Sequence, residues 1–328
     1  MAQYGTAHGH AAGKMKAMRD HDGVDVVGIY EPDGARQTQA RSDEAYEGLH
    51  WFGSEQELLS DQTIGAVAAE GDNSESLKQV ERLIDAGKHV WYDKPAGYDW
   101  SRCQRVFANA RQAGLQIQMG YMFRYHPGFC QVADWARSGM LGQPYSVRAH
   151  MSTMVDSAVR ERTSPFAGGI LYDLAGHVLD EIVWMLGRPH TVTPFLRNDT
   201  GEVPAFMDNT LAVFEFDSAM AIIDIAAMEA RPVTRRFEVY GTKGSAIILE
   251  PFEPGDRIRL CLDEARGGYV QGEQVVEVAM TTRQELYEFE LAAFVDTIDG
   301  KREPDRSLDH ELLVQESLLR AAGELIRK

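Results

Sequence analysis

Over the first 120 residues, short apolar runs alternate with stretches of helical period, the sequence form of a parallel sheet covered by helices. Strands are predicted over 25–30, 64–69, 88–92 and 115–120, after a short first strand over 1–4. Helices are predicted over 33–48, 74–87 and 99–114, the last two opening on a polar residue and ending at a glycine. Right-handed crossovers then give a doubly wound sheet.

Beyond residue 120 the alternation stops. One helix is predicted over 126–139, a strand over 144–153, and a longer helix over 171–186 stopped by Gly187 and Pro189. Strands follow without long helices between them, including 210–216, 219–227, 236–240, 245–249 and 257–262. Asp217-Ser218 and Gly241 to Gly244 punctuate them as hairpin turns. Two helices, near 282–298 and 309–326, close the chain. The expected layout is an α/β protein: a Rossmann domain over 1–120, then an α+β domain over 121–328 with a large open, mostly antiparallel sheet.

The length of 328 residues suits about two domains at roughly 150 residues each. With 33 Lys and Arg against 50 Asp and Glu, the net charge of -17 repels phosphate backbones and anionic lipid, so neither nucleic acid nor membrane is an expected partner. No basic and apolar leader opens the chain, and no apolar run reaches the ~18 residues of a membrane span. The chain is therefore expected to be used whole. Cys103, Cys130 and Cys261 are far apart and unpaired in sequence, which fits a reducing compartment, and the cytoplasm is the expected location.

Three constellations carry candidate chemistry. Gly5, Thr6, Ala7, His8, Gly9 and His10 stand where a phosphate-binding turn belongs, between the first strand and a helix. Against the spacing G-x-G-x-x-G the chain offers Gly5, Ala7 and His10. The next strand ends at Glu31, where an acid accepts from the adenosine ribose hydroxyls; the alternative is a polar turn over Glu31-Pro32-Asp33. Such an acid prefers NAD over NADP, with Arg36 the nearby cation that favours the 2′-phosphate. His8 and His10 make an H-x-H pair, but no third and fourth ligands follow at zinc spacing, so no metal is expected.

The second constellation is Asp93-Lys94-Pro95, at a strand's carboxyl end, where doubly wound sheets place ligands. Lys94 there donates a hydrogen bond or proton to a substrate oxygen, unless it is a surface lysine in a turn. The third is Asp173, His177, Asp180 and Trp184, one stripe on a largely apolar helix. A carboxylate one turn from an imidazole orients a general base, or else forms a structural Asp–His pair. Tyr121, Arg124, His150 and Arg160 are candidates to line a substrate pocket by their position near the predicted domain junction.

The turn at Gly5, Asp93-Lys94-Pro95, the run Gly120-Tyr121-Met122-Phe123-Arg124-Tyr125-His126-Pro127 and Asp173-x-x-x-His177 together resemble the Gfo/Idh/MocA oxidoreductases, the glucose–fructose oxidoreductase and inositol dehydrogenase family. The resemblance runs over nearly the whole chain. It implies an NAD- or NADP-binding Rossmann domain and a second domain carrying substrate and oligomer contacts. The family's Glu-Lys-Pro lysine falls on Lys94, and its catalytic Asp and His on Asp173 and His177. Asp93 replaces the usual Glu, and Gly168-Gly169-Ile170 stands where three glycines are frequent.

The expected activity is oxidation of a secondary alcohol of a sugar, cyclitol or related polyol, or reduction of the ketone. In it His177 takes the proton, Lys94 stabilises the alkoxide and Asp173 orients. Two alternatives are a non-catalytic nucleotide- or sugar-sensing regulator on the same fold, and an NAD-assisted glycosidase. Apolar residues on both faces of the strands after 210 predict a homodimer or homotetramer through this sheet.

Overall fold

A computed structural model describes residues 1–325. They form two compact units, residues 1–122 with 283–312, and 123–282 with 313–325.

The first unit runs β1 (Ala2–Tyr4), α1 (Ala11–Asp20), β2 (Gly28–Tyr30), α2 (Gly34–Ala40), α3 (Glu55–Ser60), β3 (Ala66–Ala69), α4 (Ser76–Asp85), β4 (His89–Tyr92), α5 (Trp100–Ala113) and β5 (Ile117–Met119). All five strands are parallel, in the order β2-β1-β3-β4-β5. β3 reads Ala-Val-Ala-Ala and is wholly buried, as a central parallel strand covered on both faces must be. Asp99 caps α5 by accepting from the Arg102 N–H, and Gly114 ends it at φ +68°.

The predicted helix over 33–48 is shorter in the structure. α2 starts on Asp33, which accepts from the N–H groups of Ala35 and Arg36, and it stops at Ala40. Asp43 then caps a separate 3₁₀ turn, Glu44–Tyr46, by accepting from the Ala45 N–H, so a second cap interrupts the helical period. α3 escaped the periodicity because it is six residues long; its signal is the Ser54 and Glu57 capping pair.

A second difference concerns 283–312. The helix Arg283–Ile298 belongs to the first unit, where its Tyr287 packs so closely on α1 that a Cβ at Gly13 would stand 2.7 Å from the ring. No local pattern marks this return. The last helix, Leu308–Ala321, was expected to reach residue 326, which lies outside the described residues.

The second unit runs α6 (Pro127–Arg137), β6 (Pro144–His150), α7 (Ser157–Thr163), α8 (Ile170–Leu174), α9 (Gly176–Leu186), β7 (Thr191–Arg197), β8 (Asn209–Glu215), β9 (Met220–Ala226), β10 (Arg236–Gly241), β11 (Gly244–Ile248), β12 (Arg257–Leu262) and β13 (Gly272–Glu277). Its eight strands form one sheet in the order β13-β12-β11-β10-β6-β9-β8-β7, antiparallel except for β6 beside β9. Thr242-Lys243 is a two-residue hairpin loop, with Gly241 paired to Gly244. Alternate residues such as Ala212, Phe214, Ala221 and Ile223 are buried on one face. Phe123, Phe129, Phe237 and Phe252 build an aromatic core there, with ring centroids 4.7 to 5.3 Å apart.

Candidate active site

The five strands of the first unit end in register. Tyr4 pairs with Tyr30 and with Ala69, Ala69 with Tyr92, and Tyr92 with Met119. The residues that follow therefore form one row along the carboxyl edge, Glu31, Gly5, Glu70, Asp93 and Gly120 in sheet order. β1 lies between β2 and β3, so the chain leaves it toward opposite sides of the sheet, and this switch point is where doubly wound sheets bind ligands.

The row holds three acids, each differently compensated. Glu31 is buried, and its Oε2 accepts from the N–H and Oγ1 of Thr6 at 2.6 and 2.7 Å, while Oε1 accepts from the Asp33 N–H at 2.9 Å. It braces the glycine turn from within. Nε of Arg36 stands 4.0 Å from Oε1.

Glu70 and Asp93 share the ammonium of Lys14, at 3.0 and 3.1 Å, and none of the three is more than 3% exposed. Burial pushes the Lys14 pKa down, but Asp93, Glu70 and Glu290 outweigh it and leave it raised. Burial lifts Glu70 well above the usual carboxylate range, against the pull of Lys14. For Asp93 burial is overcome by His10, His8 and Lys14, which hold it well below that range. Burial also pushes His10 down to about 4, against the attraction of Asp93. Burial thus disfavours the charged forms of Glu70 and His10, while the neighbouring cation and imidazoles favour the charged form of Asp93.

Sequence spacing did not reveal Lys14 or Glu70. The readable signal was a lysine on the face of α1 that also carries Ala11, Met15 and Met18. Nor did spacing show a third ligand for the H-x-H pair. The fold supplies one: Nδ1 of His8 and of His10 stand 3.1 and 3.0 Å from Oδ2 of Asp93. His10, at the third glycine position, turns its ring inward to this oxygen.

A dinucleotide fits these residues. Gly5 has φ +83°, no side chain caps the amino end of α1, and a cleft of about 250 Å³ is lined by Thr6, His8, Gly9, Arg36 and Gln39. The Lys14 ammonium lies beside Glu70 and Asp93, which reduces the negative charge a pyrophosphate would meet from those two acids. Lys94 follows on the same edge; its N–H donates to Asp93 Oδ1 at 2.7 Å, and the Lys94–Pro95 peptide is cis. Tyr121 is fully buried beyond β5.

The remaining candidates lie in the second unit. The expected single helix over 171–186 is divided at Ala175 into α8, carrying Asp173, and α9, carrying His177. A Cβ at Gly169, just before α8, would stand 2.3 Å from the Met207 oxygen, so glycine is required there. His177 is buried, with its ring 5.2 Å from that of Phe123, while Asp173 is partly exposed.

Asp180, expected in the polar stripe, is instead bonded to Arg124 at 2.8 and 2.9 Å. Arg124 is thereby occupied in the core. Arg160 is likewise buried, donating to Asp208, Thr200 and the Ala227 carbonyl, which makes it a strut of this unit. His150 is half-buried on β6, with Nδ1 2.5 Å from Asp224.

Residues 4–121 match the oxidoreductase family with an NAD-binding Rossmann fold, and residues 129–247 match the GFO/IDH/MocA C-terminal domain. The chain belongs to the GFO/IDH/MocA oxidoreductases. Its first unit is their NAD-binding Rossmann domain. Inositol 2-dehydrogenase of Salmonella typhimurium is 27% identical over 203 residues, covering 61% of this chain and only 59% of that relative's length. An uncharacterised oxidoreductase of Synechocystis sp. is 26% identical over 354 residues, covering 96% of this chain and 91% of its own. The crystal structure of an oxidoreductase from Agrobacterium radiobacter in complex with NAD+, L-tartaric acid and magnesium has the same fold, with TM-score 0.81 at 18% identity over 98% of this chain and 95% of that one. Among the described residues no helix is long and apolar enough to cross a membrane.

Proposed function

We propose that this GFO/IDH/MocA oxidoreductase is a cytoplasmic NAD-dependent dehydrogenase. It oxidises a secondary alcohol of a sugar, cyclitol or related polyol, or reduces the corresponding ketone. The observation that carries the reading is the in-register row at the carboxyl edge of the parallel sheet, which sets Lys94 directly after the acid that contacts the glycine turn. Bound NAD supplies the hydride acceptor. His177, which is buried, takes the hydroxyl proton; Lys94 donates to the developing alkoxide; Asp173 orients the imidazole or a substrate hydroxyl.

A homodimer or homotetramer through the second unit's sheet belongs to the same proposal. It is supported by Leu211, Val213 and Ile222 on the half-buried outer face.

A screen of polyols and sugars, followed by nicotinamide absorbance, tests the activity. His177→Ala is expected to lower kcat by about 10²- to 10⁴-fold with NAD binding retained. Full activity in that variant removes His177 from the mechanism, and NAD binding without turnover on any polyol favours a sensing role.

A further inference from the structure

The first unit gathers three ligand-type atoms beneath the glycine turn: Nδ1 of His8, Nδ1 of His10 and Oδ2 of Asp93, all within 4.8 Å of one another. The hydrogen bonding around His8 is what calls for a cation. The His10 backbone N–H points at His8 Nδ1 from 3.3 Å, and that bond needs the lone pair of the ring nitrogen. The same nitrogen faces Asp93 Oδ2 at 3.1 Å and Glu70 Oε2 at 3.7 Å. With that nitrogen unprotonated its one lone pair faces the Asp93 oxygen, and a cation between the two would take the lone pair in place of the amide hydrogen and turn the contact attractive.

The geometry suits such an ion. Ligand atoms roughly 2.1 Å from one tetrahedral metal lie about 3.4 Å apart, a few tenths of an ångström more than the separations here. The nitrogens stand 3.1 and 3.0 Å from the oxygen. The donors are also held in place. Asp93 Oδ1 is fixed by the Lys94 N–H, the His10 ring packs on Tyr287 at 5.3 Å, and the two imidazoles meet edge to face at 4.6 Å. Lys14 stands 3.1 Å from the shared oxygen and 3.0 Å from Glu70, and its ammonium is the group a bound cation would have to displace or tolerate.

We propose that His8, His10 and Asp93 form a site for one divalent metal ion of the zinc or cobalt class. Two imidazoles and a carboxylate select such ions over calcium and magnesium, and three protein ligands leave a position open to water or an anionic oxygen. The inference stands apart from the dehydrogenase reading, because its test involves no turnover.

The full chain, stripped with a chelator, is titrated with cobalt(II) while the visible d–d absorption is followed, with zinc as competitor. Saturation at one ion per chain and displacement by zinc are expected. His8→Ala and His10→Ala should each weaken cobalt binding by roughly 100-fold, at least the cost of losing an outer-shell partner. X-ray absorption of the zinc-loaded wild type should show two imidazole ligands, and it decides the matter if either variant fails to fold. No saturable cobalt binding by the wild type, fewer than two imidazoles in the spectrum, or unchanged affinity in both folded variants overturns the site.

Discussion

A Cβ on Gly5 would stand 2.6 Å from the Cα of Gly71, so the glycine turn and the segment after β3 meet backbone to backbone. Gly5 also holds φ +83°, a region that L side chains rarely adopt. Gly5→Ala therefore joins conformational strain to a clash that no flexible side chain can relieve. A loss of about 1–3 kcal/mol is expected from the strain alone, with weaker NAD binding. Urea unfolding and calorimetric titration check the two effects, and a variant unchanged in both would show that the turn relaxes freely.

Arg124 and Asp180 form an ion pair whose side chains are 1% and 0% exposed. Removing the carboxylate alone takes the Asp180 charge and its two hydrogen bonds from a guanidinium in the core. Asp180→Ala should cost about 3–5 kcal/mol, whereas a double replacement by Met at 124 and Leu at 180 should recover much of the loss. Denaturant midpoints of the three proteins measure this. Equal losses in the single and double variants would mean that the two groups are not coupled.

These two positions show how much of the molecule was legible in the sequence. Apolar runs and glycine stops located both sheets, because period and punctuation are local properties. The return of 283–312 to the first unit was not legible, since its apolar face does not say which core it covers. The same holds for the site. Gly5, Glu31, Asp93 and Lys94 were found because they follow strands directly. The partners of those residues were not, because Thr6, Lys14 and Glu70 reach them through packing across the sheet edge. The stripe containing Asp180 was legible, but helical spacing cannot show that a buried arginine arriving from another segment is what bonds Asp180.

His150 on β6 provides a pH-dependent contact that is separate from the proposed metal ligands. The hydrogen bond that His150 donates to Asp224 raises its pKa most, burial works against this, and the charges of Asp224 and Glu229 add to the rise. A folded-state pKa above the unfolded value of about 6.5 gives stabilisation that is complete below the unfolded value and vanishes as pH rises through the folded one. The wild type should therefore exceed His150→Gln in Tm by more at about pH 5 than at about pH 9. Thermal melts at both pH values check the sign, and a larger gap at the alkaline end would refute the pairing.

Glu31 decides the cofactor preference in the proposed function. Its two oxygens are fixed by Thr6 and by the Asp33 N–H, at 2.6, 2.7 and 2.9 Å, so it cannot swing away from an arriving group. Ribose hydroxyls can donate to the lone pairs that remain. A 2′-phosphate meets a fixed like charge instead, with Arg36 Nε 4.0 Å from that carboxylate and partly committed to it. NAD is therefore expected to bind more tightly than NADP. Glu31→Ser removes the repulsion and releases Arg36, so NADP should gain and NAD lose about tenfold, or ~1.4 kcal/mol each. Added salt should shrink the part of the gain that comes from Arg36, whose side chain is 39% exposed. Fluorescence titrations of both nucleotides at low and high salt measure each part. Tighter NADP binding by the wild type would mean that Glu31 serves only to brace the turn.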